Sequence, residues 1–295
     1  MNSLVPNSVE SSIRPGIVCA AAAILILLLL ASLAAAQGTV TQSTRLKNIE
    51  LCNGADRTSP EPQIQGCTAL IDSGNEKPHV LAIAYNNRGN AYVAKRDYDR
   101  AIEDYDQSIK LTPGYAKPFN NRGLAYQKKG EYDQAIKDFD EAIKLNPNYA
   151  SAFANRAGTY QKKNEYDRAF QDFDEAIRLA PDLAAVWNGR CWTRAIIGKL
   201  EAALADCNRA LQLQPNDGAT YDSRGLIHLK MGQFDSAIDD YSSALRFQPK
   251  LASALYGRGL AKLKKGDASG GNADIAAAGA IEAKIGADFT HYGVQ

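Results

Sequence analysis

The sequence predicts an all-α fold, an α-solenoid of antiparallel helix pairs stacked side by side. Three observations predict it. The chain repeats on itself every 34 residues, so that Gly89, Gly123, Ala157, Cys191, Gly225 and Gly259 fall in one column and Ala101, Ala135, Ala169, Ala203 and Ala237 in another. Each period holds two short amphipathic segments: between Asn120 and Ala150 the first ends at Lys128-Lys129-Gly130, and the second starts after Glu131-Tyr132 and stops at Asn146-Pro147. Pro113, Pro147, Pro181, Pro215 and Pro249 close successive periods in register; proline ends a helix because it lacks the amide hydrogen and clashes with the preceding turn. Helices this short cannot bury an apolar face alone, and repetition gives each one a neighbour.

The marks within one period, Gly123, Tyr126, Ala135, Phe139, Ala142 and Pro147, resemble those of the tetratricopeptide repeat. The resemblance covers roughly residues 82 to 285 and, less closely, 46 to 80. It implies a right-handed superhelix whose first helices line a concave face, and a non-catalytic binding scaffold. Fold does not fix function, so the partner stays open.

Taken in order, the chain begins with a single cation, Arg14, and an apolar run from Ile17 to Ala36. Leu33-Ala34-Ala35-Ala36 fits the small-residue site of a signal peptidase, so residues 1–36 read as an export signal of bacterial type. The run is also long enough to be an uncleaved anchor. Cys19 precedes the leucines and does not fit lipoprotein attachment. Either reading places the rest outside the cytoplasm, in the periplasm or beyond the cell, with the membrane touched only through this segment.

Residues 37–81 form a degenerate capping pair, with a first helix expected over 44–52 and a second over Pro62–Ser73. Five regular units are expected over 82–251, and a degenerate last unit with a capping helix over 252–295. Recurring mid-helix glycines imply close approach where a β-carbon would not fit, since glycine there otherwise costs ~1 kcal/mol against alanine. Tyr98, Tyr132, Tyr166 and Phe234 are expected to wedge between neighbouring units. From Asn272 to Phe289 the pattern favours one longer helix sealing the C-terminal end.

Four cysteines remain after Cys19: Cys52, Cys67, Cys191 and Cys207. An even number in an exported chain suggests bridges. In an extended stack only Cys52 with Cys67 and Cys191 with Cys207 bring α-carbons within about 7 Å. The alternative is that Cys191, in the glycine column, is simply a small buried side chain.

Arg88, Arg122, Arg156, Arg190, Arg224 and Arg258 precede the small residue of every unit, and sixteen residues after each stands Asp104, Asp138, Asp172, Asp206, Asp240 or Asp274. An antiparallel pair folds the two columns together, so arginine–carboxylate pairs are expected inside each unit, bidentate where geometry allows. The rival reading, an arginine-lined ligand groove, is weakened by aspartates that would neutralise it.

The three histidines have no partners at metal-ligand spacing, and neither a nucleophile elbow nor a phosphate-binding glycine loop occurs. No cofactor, metal or catalytic residue is expected. With 34 basic against 33 acidic residues interspersed, no basic stripe exists for nucleic acid. What remains is a groove for an extended peptide or protein segment. Its N-terminal half carries Asn86, Asn87, Asn90, Asn120, Asn121 and Asn155, whose amides both donate and accept. Its C-terminal half carries Trp192, Ile196, Leu226, Leu229, Tyr256, Leu260 and Leu263, which read either as exposed affinity anchors or as packing for the C-terminal cap. The carboxylate clamp of some relatives is not expected, because Asn86 and Ser151 stand where its lysines would be. A structural spacer acting through the convex face or by self-association is the alternative function, and an envelope enzyme a distant third.

Overall fold

The fold was described from a computed structural model, in which residues 42–54 and 59–294 are described. The apolar run from Ile17 to Ala36 lies outside them. None of the described helices is long and apolar enough to cross a membrane.

Fifteen helices follow one another among the described residues. They are α1 (42–52), α2 (Glu61–Asp72), α3 (Pro78–Ala94), α4 (Tyr98–Leu111), α5 (Ala116–Lys129), α6 (Tyr132–Leu145), α7 (Ala150–Lys162) and α8 (Tyr166–Leu179). Then come α9 (Ala184–Ile196), α10 (Leu200–Leu213), α11 (Gly218–Lys230), α12 (Phe234–Phe247), α13 (Ala252–Lys264), α14 (Ala268–Ile281) and α15 (Ile285–His291). Consecutive helices pack as pairs, each pair packs on the next, and the first helices of successive units also touch. The result is a right-handed α-solenoid with α3, α5, α7, α9, α11 and α13 on its inner face.

Two backbone devices set the period. Between the helices of each unit one residue takes a left-handed conformation: Arg96, Gly130, Asn164, Gly198, Gly232 and Gly266, with φ between 61° and 88°. Four are glycines, for which this region is free of strain. Between units, the residue after each second helix is extended, with φ −144° at Thr112 and −140° at Asn146. A following proline favours that conformation. Glu282 adopts the same geometry, φ −141°, with no proline after it.

That break corrects the expected long C-terminal helix over Asn272–Phe289. Asp267 caps α14 by accepting from Gly270 N at 2.8 Å, so α14 starts in register with the other second helices. It ends at Ile281, and α15 turns away.

The core also corrects the expected aromatic column. Tyr98, Tyr132, Tyr166 and Phe234 are half-buried at helix starts. The buried rings stand seven residues later, at Tyr105, Phe139, Phe173 and Tyr241. They lie against the glycines of the first helices: a β-carbon on Gly89 would meet Tyr105 at 2.7 Å, one on Gly123 would meet Phe139 at 2.7 Å, and one on Gly225 would meet Tyr241 at 2.8 Å. The close approach is therefore of a ring to a backbone. Elsewhere backbone meets backbone, as at Gly259 beneath the Gly271 carbonyl.

Cys52 and Cys67 are joined at S–S 2.08 Å, and Cys191 and Cys207 at 2.00 Å. Both bridges tie the first helix of a pair to its second.

Candidate functional site

The inner face begins with its arginines. In each of six units the guanidinium forks onto the aspartate sixteen residues on, as Arg88 Nε and Nη2 do to Asp104 at 2.9 and 2.8 Å. Arg122–Asp138, Arg156–Asp172, Arg190–Asp206, Arg224–Asp240 and Arg258–Asp274 repeat it. The third guanidinium nitrogen reaches the preceding unit. Arg156 Nη1 donates to Asp140 at 2.5 Å, Arg190 to Asp174 at 2.6 Å, Arg224 to Asn208 at 2.8 Å, and Arg122 to Asp106. Burial raises the Asp104 and Asp138 carboxyls above their usual range despite the arginines. Desolvation offsets much of the attraction, so these pairs fix register more than they add stability. They point into the stack and are unavailable to a ligand.

The asparagines of the N-terminal half split into two classes. Asn121 Nδ2 donates to Asn86 Oδ1 at 2.9 Å and to Asn90 Oδ1 at 3.1 Å, Asn155 Nδ2 donates to Asn120 Oδ1 at 2.9 Å, and Asn87 Nδ2 donates to Asn53 Oδ1 at 3.2 Å. Asn86 and Asn120 are 3% and 4% exposed. This corrects their placement as groove residues, because their amides are spent joining one unit to the next. Asn90 stays exposed, and Asn87, Asn121 and Asn155 are half-buried. Next to Asn155, a cavity of about 430 Å³ is lined by Ser151, Ala154, Leu183, Val186 and Gln214. Leu183 is 43% exposed, which gives this open stretch an apolar contact beside its amides.

The C-terminal half is closed. Leu226 and Leu229 are 1% and 6% exposed, and with Trp192, Ile196, Tyr256 and Leu260 they pack against Ile285, Phe289, Tyr292 and Val294 of α15 and the residues after it. Of the two readings of these residues, the exposed pocket is corrected and packing for the C-terminal cap is the one observed: the apolar residues converge and the chain's own end covers them, since water would otherwise meet that whole surface. Leu263 packs elsewhere, against Gly271 of α14.

Trp192 and Tyr292 meet edge to face with centroids 5.0 Å apart, and Tyr256 lies 4.9 Å from Phe289. Lys230 Nζ donates to the carbonyls of Ala195 at 2.7 Å and Tyr292 at 2.8 Å, and burial lowers its pKa. Tyr166 OH lies 3.2 Å from His291 Nε2. Asp222, on the groove floor, accepts from Ser253 Oγ at 2.7 Å, while its Oδ1 is buried with no hydrogen-bond partner. Burial pushes this carboxyl up to about 7.

Sequence reasoning missed two features. Gln127 Nε2 donates to Thr159 Oγ1, and Gln161 Nε2 to Thr193 Oγ1, each at 2.7 Å between successive units. Their 34-residue repetition was a visible signal. The other is the path of the capping end back across the inner face, where Ile285, Phe289 and Tyr292 stand at helical spacing. Among the described residues no cluster of three or more histidines, cysteines or carboxylates could hold a metal.

Sequence models described as the tetratricopeptide repeat match residues 116–149, 139–171 and 159–218, and one described as the TPR repeat matches 89–130 and 225–266. A tetratricopeptide repeat protein from Parabacteroides merdae is similar in structure, with TM-score 0.65 and 18% identity over 85% of this chain and 99% of that one. The pilF protein of Pseudomonas aeruginosa gives 0.59 and 17% over 72% and 95%. The Cut9–Hcn1 assembly of the APC/C gives 0.66 and 16% over 85% of this chain and 52% of that one. At such identities the likeness shows the fold. No curated protein matches the chain significantly.

Proposed function

The chain belongs to the tetratricopeptide-repeat family, whose fold is a protein–protein interaction scaffold, and from that premise we propose that it binds a peptide or protein segment in its concave groove, in the cell envelope. The observation that carries this reading is the division of the inner face. Ion pairs and amide–amide bonds hold the stack together, and the stretch from Asn90 to Leu183 keeps Asn90 exposed, Asn121 and Asn155 half-buried and Leu183 exposed. Amides that donate and accept suit the backbone of an extended peptide, and an apolar contact beside them supplies affinity. The envelope part rests on two cystines, which persist in oxidising compartments, and on the apolar run before Gln37.

Partners are identified by cross-linking in envelope fractions followed by mass spectrometry. The bound segment is then titrated against wild type and Leu183→Glu. The variant loses at least tenfold in affinity while its helical circular dichroism is unchanged; equal affinities reject the groove. A thiol count of the native protein before and after reduction, together with N-terminal sequencing, tests the compartment. Free thiols at Cys52, Cys67, Cys191 and Cys207, or an unprocessed N-terminus in a soluble cytoplasmic fraction, reject it.

A further inference from the structure

The inner face of the last three units is covered by a segment that does not belong to the repeat. Helices α3 to α14 keep the 34-residue period, whereas α15 leaves it after Glu282 and runs back across the groove. It passes Tyr256 of the sixth unit, close to Gly286, and reaches Tyr166 of the third, beside His291. A cap need only cover the outer edge of α14. This segment crosses the surface on which a partner would lie.

Three features mark it as an occupant rather than part of the scaffold. Seven residues are too few to hold a helix unaided, so α15 forms only while docked. Its short tether to α14 keeps it in place at high effective concentration even where its own contacts are weak. The groove is also wider than what fills it. A cavity of about 390 Å³ lined by Gln161, Lys162, Tyr166, Trp192 and His291 lies on one side, and one of about 350 Å³ lined by Leu229, Phe234, Leu260 and Val294 lies on the other.

The floor beneath is also incompletely matched. In the first units Asn86 and Asn120 find donors in Asn121 and Asn155 of the following unit. The donor column then changes to Gly189, Ser223 and Gly257. Asn188 Oδ1 and Asp222 Oδ1 are left buried with no hydrogen-bond partner, and the returning segment supplies none. Buried acceptors of this kind favour any ligand that brings a donor to them.

We propose that residues 285–294 stand in for the groove's ligand, and that this ligand is a short amphipathic helix which presents aliphatic and aromatic anchors at the spacing of Ile285, Phe289 and Tyr292, offers a donor to Asp222, and displaces the segment. The proposal rests on the groove reading above and names the ligand's chemistry. Occupancy in cis lowers apparent affinity by the fraction of time the groove is open. A segment docked nine-tenths of the time imposes a tenfold loss.

The experiment uses the full chain and a labelled peptide of residues 283–295 as probe. Trp192 and Trp187 are the two tryptophans of the chain, and Trp192 reports the edge contact with Tyr292. In Phe289→Ala/Tyr292→Ala, helical circular dichroism is retained, tryptophan emission shifts to the red, and the peptide binds at least tenfold more tightly than to wild type. The same peptide carrying Phe289→Ala does not bind. Should the variant fail to fold, hydrogen exchange on wild type decides: the amides of Tyr292 and Val294 exchange at least a hundredfold faster than those in the middle of α13. Unshifted emission in a folded variant, or exchange as slow as in α13, overturns the proposal and leaves the open groove between Asn90 and Leu183 untouched. Red-shifted emission without peptide binding overturns it together with the reading of this half as a groove. A wild-type dimer exchanging this segment, seen by light scattering, would make a second copy the occupant and overturn the foreign ligand.

Discussion

Phe139 and Phe173 occupy equivalent positions one period apart and solve the same packing problem differently. Phe139 lies on Gly123 of its own unit. Phe173 faces Ala157 in that column and leans instead on Gly189 of the next unit, where a β-carbon would meet it at 2.6 Å. The second route is closed to Phe139, because Asn155 stands where Gly189 does. Gly123→Ala therefore destabilises by about 1–3 kcal/mol, the usual cost of overpacking, read as a lower urea midpoint. Gly189→Ala costs a similar amount, since its ring already stands off an alanine. Asp222 gives a second prediction at this scale. Its carboxyl is raised to about 7 in the folded chain against ~3.9 in an unfolded one. An acid raised on folding contributes no penalty below the unfolded value and a growing one above it. Stability thus falls between about pH 4 and 7, by ~1.4 kcal/mol for each unit of displacement. Asp222→Asn flattens that stretch of the Tm-against-pH curve; an unchanged slope would place its cause elsewhere. Neither feature was legible in the sequence, which shows a glycine column but not which ring leans where, and sets Asp222 in the column of Asn86, Asn120 and Asn188 without showing its burial.

At the scale of the helix pair, the Cys191–Cys207 bridge occupies the two positions that hold a glycine and a ring in other units. Gly89 with Tyr105, Gly123 with Phe139 and Gly225 with Tyr241 are each sixteen residues apart, as are the cysteines. A covalent link replaces a packing contact at the same place in the fold. Cys191→Ala/Cys207→Ala removes the link without restoring a ring, and the chain-entropy estimate for so short a loop is a loss of about 3 kcal/mol. Cys191→Gly/Cys207→Tyr restores the ring-on-glycine contact and recovers at least half of the Tm lost by the alanine pair. Recovery should be the same in oxidising and reducing buffer, and its absence would show that this unit is built differently. The spacing of the cysteines was readable from the chain. So was the place of Cys191 in the glycine column, but the equivalence of Cys207 to a ring was not, because it depends on recognising Tyr105 and its counterparts, seven residues beyond the aromatics that stood out.

Across the whole molecule, each arginine is a fastener with two ends. One end forks onto the aspartate of its own unit and the other reaches the unit before it, so register is set within pairs and between them by one side chain. In a stack whose stability is a sum of unit and interface contributions, weakening one interface loosens cooperativity rather than a single contact. Arg156→Lys keeps the charge and loses the fork. Its cost is about 1–3 kcal/mol, with a broadened urea transition as the halves on either side unfold separately. Arg258→Lys costs less, since the backward contact of Arg258 is a hydroxyl, Ser242, at 3.4 Å. Equal costs and equally sharp transitions would show that the backward contacts contribute nothing.

The sequence by itself determined the period, the pairing of helices, the arginine–aspartate spacing and the family, because each depends on residues a fixed distance apart along the chain. Only the tertiary structure decided what the inner face offers. Asn86 and Asn120 turned inward once the next unit supplied partners, and the apolar floor around Leu226 was covered when the end of the chain folded back over it. Both outcomes follow from contacts between residues about 30 or more apart in sequence, and a repeating pattern specifies how neighbours stack without specifying what the finished surface will touch.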